Sequence, residues 1–136
     1  MRFDLVTPAL RMASFEATDV RIPGSEGDFG VLPGHQPFLS TIRPGILDVR
    51  KADGENVLYC VGQGFVDVTP EAVTVLAEEA VAKGDIDRAA CELRLKEVLK
   101  HIKELEHLPQ DQAQPVELDR ALRERDLLQL KIKLAA

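Results

Sequence analysis

All nine glycines of this 136-residue chain lie in its first 84 residues, at positions 24, 27, 30, 34, 45, 54, 62, 64 and 84. Six of the eight prolines fall there too; the other two, Pro109 and Pro115, bracket one short polar stretch. Glycine and proline punctuate short strands and are expelled from helix interiors. The chain therefore reads as a turn-rich β unit over 1–84, joined at Gly84-Asp85 to an all-helical tail over 85–136.

Within the first part, short segments rich in Val, Ile, Phe, Thr and Tyr alternate with Gly, Pro, Asn and Asp. FDLVTP, RMASFEA, DVRIPG, DFGVLPG, PFLSTI, GILDVRK, NVLYCVG, FVDVT, AVTVLAE and EAVAK give about ten strands, and Asp53-Gly54 is a hairpin turn. No crossover helix fits between them, so a parallel α/β fold is disfavoured and an antiparallel sandwich or flattened barrel is expected. In the tail, Leu95, Val98, Leu99, Ile102 and Leu105 keep the spacing of one helical face. Asp85 is the expected cap of that helix, with Asp87 in its first turn; Pro109 stops it, and QDQAQ makes the turn. Pro115 then suits the first turn of a second helix carrying Leu118, Leu122, Leu128 and Ile132. Glu92/Lys96 and Asp119/Arg123 are favourable four-apart pairs. The expected class is α+β, an antiparallel β-sandwich followed by a two-helix antiparallel hairpin. A hairpin with one apolar seam is marginal alone, so it is expected to lean on the β unit or on a partner.

Charge narrows the function. Residues 1–84 hold seven Lys/Arg against twelve Asp/Glu, and 85–136 hold ten against eleven. Neither part concentrates a basic face, which argues against nucleic acid and anionic lipid as direct ligands. The N-terminus lacks an apolar signal core and no run reaches membrane-spanning length, so a soluble chain in a reducing compartment is expected. Cys60 and Cys91 define neither a disulfide framework nor a zinc site. GSEGDFG at 24–30 misses the spacing of phosphate-binding loops, and Glu26 and Asp28 would repel an anion. His35, in PGHQP, has no recognised nucleophile in Ser40 or Thr41. His101 and His107 lie on the charged helix. From the residues alone no active site assembles and His35 reads as a turn or interface residue; the readings weighed beside that are a small β-barrel enzyme using His35 with Asp28 or Glu26, with or without a metal, and a free-standing adaptor dimerising through its hairpin.

VTP (6–8), IPGSEGDFGVLPGHQPFLSTIRPGIL (22–47), GQGFVDVTPEAVTVLAEEA (62–80) and DID (85–87) resemble, in order, the epsilon chain of F-type ATP synthases. The resemblance implies a ten-stranded sandwich plus two helices and a non-catalytic place in the central stalk. It implies that the sandwich grips the gamma chain and rests on the c-ring, with Asp28, Phe29 and His35 at that contact. It implies a helical pair that folds back or extends along gamma into the alpha/beta catalytic head and slows ATP hydrolysis. There, Arg120, Arg123, Arg125, Lys131 and Lys133 would meet an acidic surface. The protein would sit peripherally on the cytoplasmic face of a bacterial inner membrane, or the equivalent organelle face, through its complex alone. No cofactor is implied, but many members bind ATP as a regulatory ligand through an Ile/Leu-Asp-x-x-Arg-Ala motif. Ile86 and Asp87 match it, whereas Ala90 and Cys91 replace Arg-Ala; Arg94, one turn on, is the residue placed to compensate.

Overall fold

The structure, a computed structural model, describes residues 1–108 and 114–135 and divides into two compact units, Met1–Lys83 and Gly84–Ala136. Pro109 and residues 110–113 of the turn expected over 110–114 lie outside the described residues, and Gln114 already belongs to the second helix.

Nine strands build the first unit: β1 (Arg2–Val6), β2 (Arg11–Gly24), β3 (Gly27–Val31), β4 (Phe38–Ile42), β5 (Gly45–Lys51), β6 (Asn56–Val61), β7 (Gly64–Val68), β8 (Ala72–Ala77) and β9 (Ala80–Ala82). They form a sandwich with strand order β1-β8-β7-β4-β2-β5-β6-β9; β3 pairs β2, and β1 pairs both β8 and β2. Two expectations are corrected. RMASFEA and DVRIPG are one 14-residue strand, β2, whose pairing with β5 slips between Ala17 and Asp19. A bulge adds a residue and bends the strand without ending it. So the first half of β2 pairs β1 and the second half serves β5 and β3. The sheet is also not wholly antiparallel, because β1 runs parallel to β8 from Arg2↔Ala72 to Val6↔Leu76. Chain termini of separate hairpins meet there, and no tight turn dictates the direction.

Alternation puts Phe3, Leu5, Val20, Ile22, Leu47, Val49, Val66, Val68, Val73 and Val75 into one buried core. Tyr59 and Phe15 complete it, their rings 6.4 and 5.3 Å from that of Phe3. Gly54 adopts φ +91° in the β5–β6 turn, where Lys51 N donates to Glu55 O at 2.8 Å.

A single 3-10 turn, Lys83–Asp85, spans the boundary into the second unit. Helix α1 (Arg88–His107) is capped by Asp87, whose Oδ1 accepts from Ala90 N at 3.1 Å, and not by Asp85. Asp87 holds the extended backbone a cap needs, at φ −89° and ψ 96°, while Asp85 is spent on the preceding turn. Helix α2 (Gln114–Ala135) carries Pro115 in its first turn, where the missing N–H costs no helical bond. The seam consists of Val98, Ile102 and Leu105 against Ala121 and Leu128, flanked by Cys91, Leu95, Leu118 and Leu122. Leu99, expected in the seam, is exposed, since the stripe narrows to the row that meets α2. Glu92 pairs with Arg88 instead of Lys96, and Asp119 with Arg123 at 3.1 Å.

Candidate functional site

The outer faces of the sandwich differ in chemistry. Val6, Leu76, Phe65 and Thr41 lie abreast across β1, β8, β7 and β4, one strand spacing apart. Phe65 is 54% exposed and Leu76 47%, and Leu39 in the adjoining row is 71% exposed. Phe65 and Leu76 are not stray surface hydrophobics, for they line one groove of about 600 Å³ with Val6, Thr7, Pro8 and Thr41. Beside them Asp4 takes a 3.1 Å bond from Arg2 Nε, and its Oδ1 is buried with no partner. The Ser14 hydroxyl, then Arg2 and Arg11, hold the Asp4 carboxyl below its ordinary value, against the opposing effect of burial. Across β2, β5 and β6 the surface is the opposite: Arg21 stands opposite Asp48 and Asp19 opposite Arg50. With Asn56 they line a polar depression of about 250 Å³. A checkerboard of both signs is content in water, whereas the Phe65 face is not.

Sequence reasoning missed this face. The available signal was VTVLA and GFV, where apolar residues occupy successive positions; a strand with one wet face alternates.

The residues singled out from sequence fall at separate places. At the β2–β3 tip Gly27 takes φ +134°, and a Cβ at Gly24 would lie 2.6 Å from Gly27 O, so both positions require glycine. Thr41 Oγ1 donates to Ser25 Oγ at 2.7 Å and Asp28 is ion-paired with Arg43, which ties the tip to the end of β4. Phe29 packs edge-on against Phe38, ring centroids 5.4 Å apart. His35 Nδ1 donates to its neighbour's Gln36 carbonyl at 2.7 Å, with its ring 6.5 Å from Phe38. Gly34, at φ +83°, donates to Pro70 O at 3.0 Å and anchors that loop to the β7–β8 turn. Asp28 and His35 thus answer to different partners and form no acid–base pair. Glu26 is exposed. Among the described residues no three His, Cys, Asp or Glu side chains converge as metal ligands, and neither Cys60 nor Cys91 is in a disulfide.

On the hairpin, Ile86 is half-buried ahead of α1 and Asp87 is its cap. Arg94 turns to the other helix: Nε donates to Glu124 Oε2 at 2.8 Å, Nη2 to Oε1 at 3.0 Å, and Nη1 to Glu97 at 3.1 Å. Those bonds hold Arg94 firmly cationic; the bond from Arg94, opposed by burial and aided by Lys131 and His101, lowers the Glu124 pKa. Arg123 and Arg125 are paired with Asp119 and Asp126, while Arg120 and Lys133 stand exposed and Lys131 half-buried. Two of the five expected bases are therefore compensated on their own helix.

Residues 1–83 match the family described as ATP synthase, Delta/Epsilon chain, beta-sandwich domain. The ATP synthase epsilon chain of Brucella anthropi is 44% identical over 99 residues, 73% of each chain. That of Brucella canis is 43% identical over 109 residues, 78% of this chain and 81% of its own. Among solved structures, a chain of the Euglena gracilis mitochondrial ATP synthase (OSCP/F1/c-ring, rotational state 1) superposes with a TM-score of 0.71. It is 25% identical and covers 93% of this chain and 78% of that one. A chain of the Tetrahymena thermophila mitochondrial ATP synthase central stalk/c-ring gives 0.61 at 14% identity, a likeness of fold, over 100% of this chain and 96% of that one.

Proposed function

Because this chain belongs to the ATP synthase epsilon-chain family, we propose that it couples the c-ring to the catalytic head as an accessory subunit with no catalytic step of its own. The enzyme reading of His35 lapses with that membership. The apolar row Val6–Leu76–Phe65, with Leu39, is the surface on which the gamma chain seats; that row is the observation that carries the proposal. The loops bearing Asp28, Phe29 and His35 meet the c-ring. Held by Arg43, Phe38 and the Pro70 carbonyl, they are shaped before docking and lose little ordering entropy on contact.

The hairpin is the moving part. Extended along gamma, it reaches the alpha/beta head and slows hydrolysis, guided by Arg120, Arg123, Arg125, Lys131 and Lys133. It works without a nucleotide, since Asp87 is committed to a cap, Arg94 to α2, and Ala90 carries no guanidinium. No helix of the described residues is long and apolar enough to cross a membrane. The chain is held through its complex at the cytoplasmic face of a bacterial inner membrane, or at the equivalent organelle face.

Replacing Phe65 and Leu76 together by Ser tests the docking face. Fully burying such side chains yields roughly 1.5–3 kcal/mol each, and each is already about half covered. The loss is then about 1.5–3 kcal/mol, or roughly 10- to 150-fold in Kd for the gamma chain. Arg21→Ser with Arg50→Ser, on the opposite face, should leave binding unchanged. Gamma binding by the first variant at wild-type affinity refutes the assignment.

A further inference from the structure

We infer that the Arg94–Glu124 bridge is the latch of the helical hairpin, and that Glu97 and Arg120 take over its two halves when the helices separate. The inference does not rest on the docking surfaces, because every residue in it lies on α1 or α2 and is tested in the free chain.

Two polar fasteners lie along the seam. Near the turn, Gln114 Nε2 donates to Leu105 O at 2.9 Å, closing a carbonyl in the last turn of α1. Eleven residues back along α1, roughly 16 Å, Arg94 grips Glu124 with two parallel bonds. Between them the seam is a single apolar row on each helix, and α2 contributes to it an alanine, Ala121. The bridge therefore has weight in whether the hairpin stays closed.

The same side chains reduce what separation costs. Arg94 already donates its third N–H to Glu97, one turn along its own helix, so parting from Glu124 does not strand it. Glu124 lies four residues after Arg120, on the same face of α2, and Arg120 is exposed. His101 and Lys131 also face Glu124. Each charge thus has a partner in the closed form and another in the open form. The arrangement is also asymmetric. Glu97 and Glu124 approach one another only because Arg94 stands between them.

That asymmetry gives the test. Amide hydrogen exchange of α2 is followed in the full-length chain at low salt and neutral pH. Arg94→Gln leaves two carboxylates facing each other and should speed α2 exchange roughly five- to tenfold; Glu124→Gln leaves Arg94 on Glu97 and should give only about two- to threefold. The double variant should exchange like Glu124→Gln alone. Arg120→Gln, which removes the open-state partner, should slow exchange below wild type. The swapped pair Arg94→Glu with Glu124→Arg rebuilds the bridge but sets Glu97 and Arg120 against like charges, so α2 exchange should fall from the Arg94→Gln rate to the wild-type rate or below it, which separates the latch from a general loss of helix. Equal effects of the two single variants, or a double variant equal to their product, would overturn the latch. An unchanged rate in Arg120→Gln would overturn the hand-over.

Discussion

A methyl group at Gly64 is expected to unseat the β7–β8 ladder and with it the proposed gamma-binding row. A Cβ built there lies 1.8 Å from the Leu76 carbonyl oxygen, 2.8 Å from its carbon and 2.9 Å from Ala77 Cα. Carbon–oxygen contacts close at about 3.3 Å, so roughly 1.5 Å must be found. All three obstacles are backbone, so no rotamer change relieves them, and the strands themselves must part. Gly64 pairs Ala77 on one side and Ile42 on the other, which blocks retreat into β4. Overpacking of this kind sits at the top of its range, about 3 kcal/mol. With an m-value near ~1.5 kcal/mol/M, the urea midpoint should fall by about 2 M. Tyr59 is the single tyrosine, there is no tryptophan, and Tyr59 is buried in the sandwich core, so tyrosine fluorescence reports this unit alone. Gly30→Ala is the control: nothing lies within 4 Å of its Cβ, and its φ is not positive. It should be neutral or stabilising by up to about 1 kcal/mol, through the unfolded chain. If Gly64→Ala unfolds within roughly 0.3 M of wild type, a shift the extrapolation can resolve, the steric reasoning is wrong.

The remaining expectations concern acid stability, autonomy of the sandwich and the tail. Asp4 is depressed by Ser14, Arg2 and Arg11, so its contribution is present above the ordinary carboxylate pKa of about 4 and is lost as pH falls through the lower folded value. Asp4→Asn should therefore lower stability at neutral pH and flatten its decline below about pH 4 in acid titrations followed by Tyr59. Every residue of the large core belongs to 1–83, so a chain ending at Gly84 should keep a β-type circular dichroism spectrum; an unfolded spectrum refutes its independence. Deleting 85–136, or replacing Arg120, Arg123 and Arg125 by Ala, should raise ATP hydrolysis by the assembled catalytic head. Because Arg123 and Arg125 already have partners on α2, the triple change should give the smaller rise. An unaltered rate in both would show that the hairpin is no inhibitor here.

What the chain determined by itself was everything local. Glycine and proline placement marked the division near residue 84, composition gave the strand segments, and three-and-four spacing gave α1. Those signals are legible because φ/ψ preference and side-chain period act within a few residues. Family-specific runs such as GSEGDFGVLPGHQP carried the function. Tertiary structure alone decided that β2 is one bent strand, because a bulge is created by pairing with β5. It decided that β1 lies parallel to β8, that Leu76 and Phe65 share a row with Val6, and that Asp87 and not Asp85 caps α1. It also gave Arg94 a partner 30 residues away, Glu124. In each case the deciding contact joins residues distant in the chain or fixes one of several equally acceptable local conformations. No local preference encodes which of two free edges, two outer faces or two acidic neighbours a backbone or guanidinium will meet.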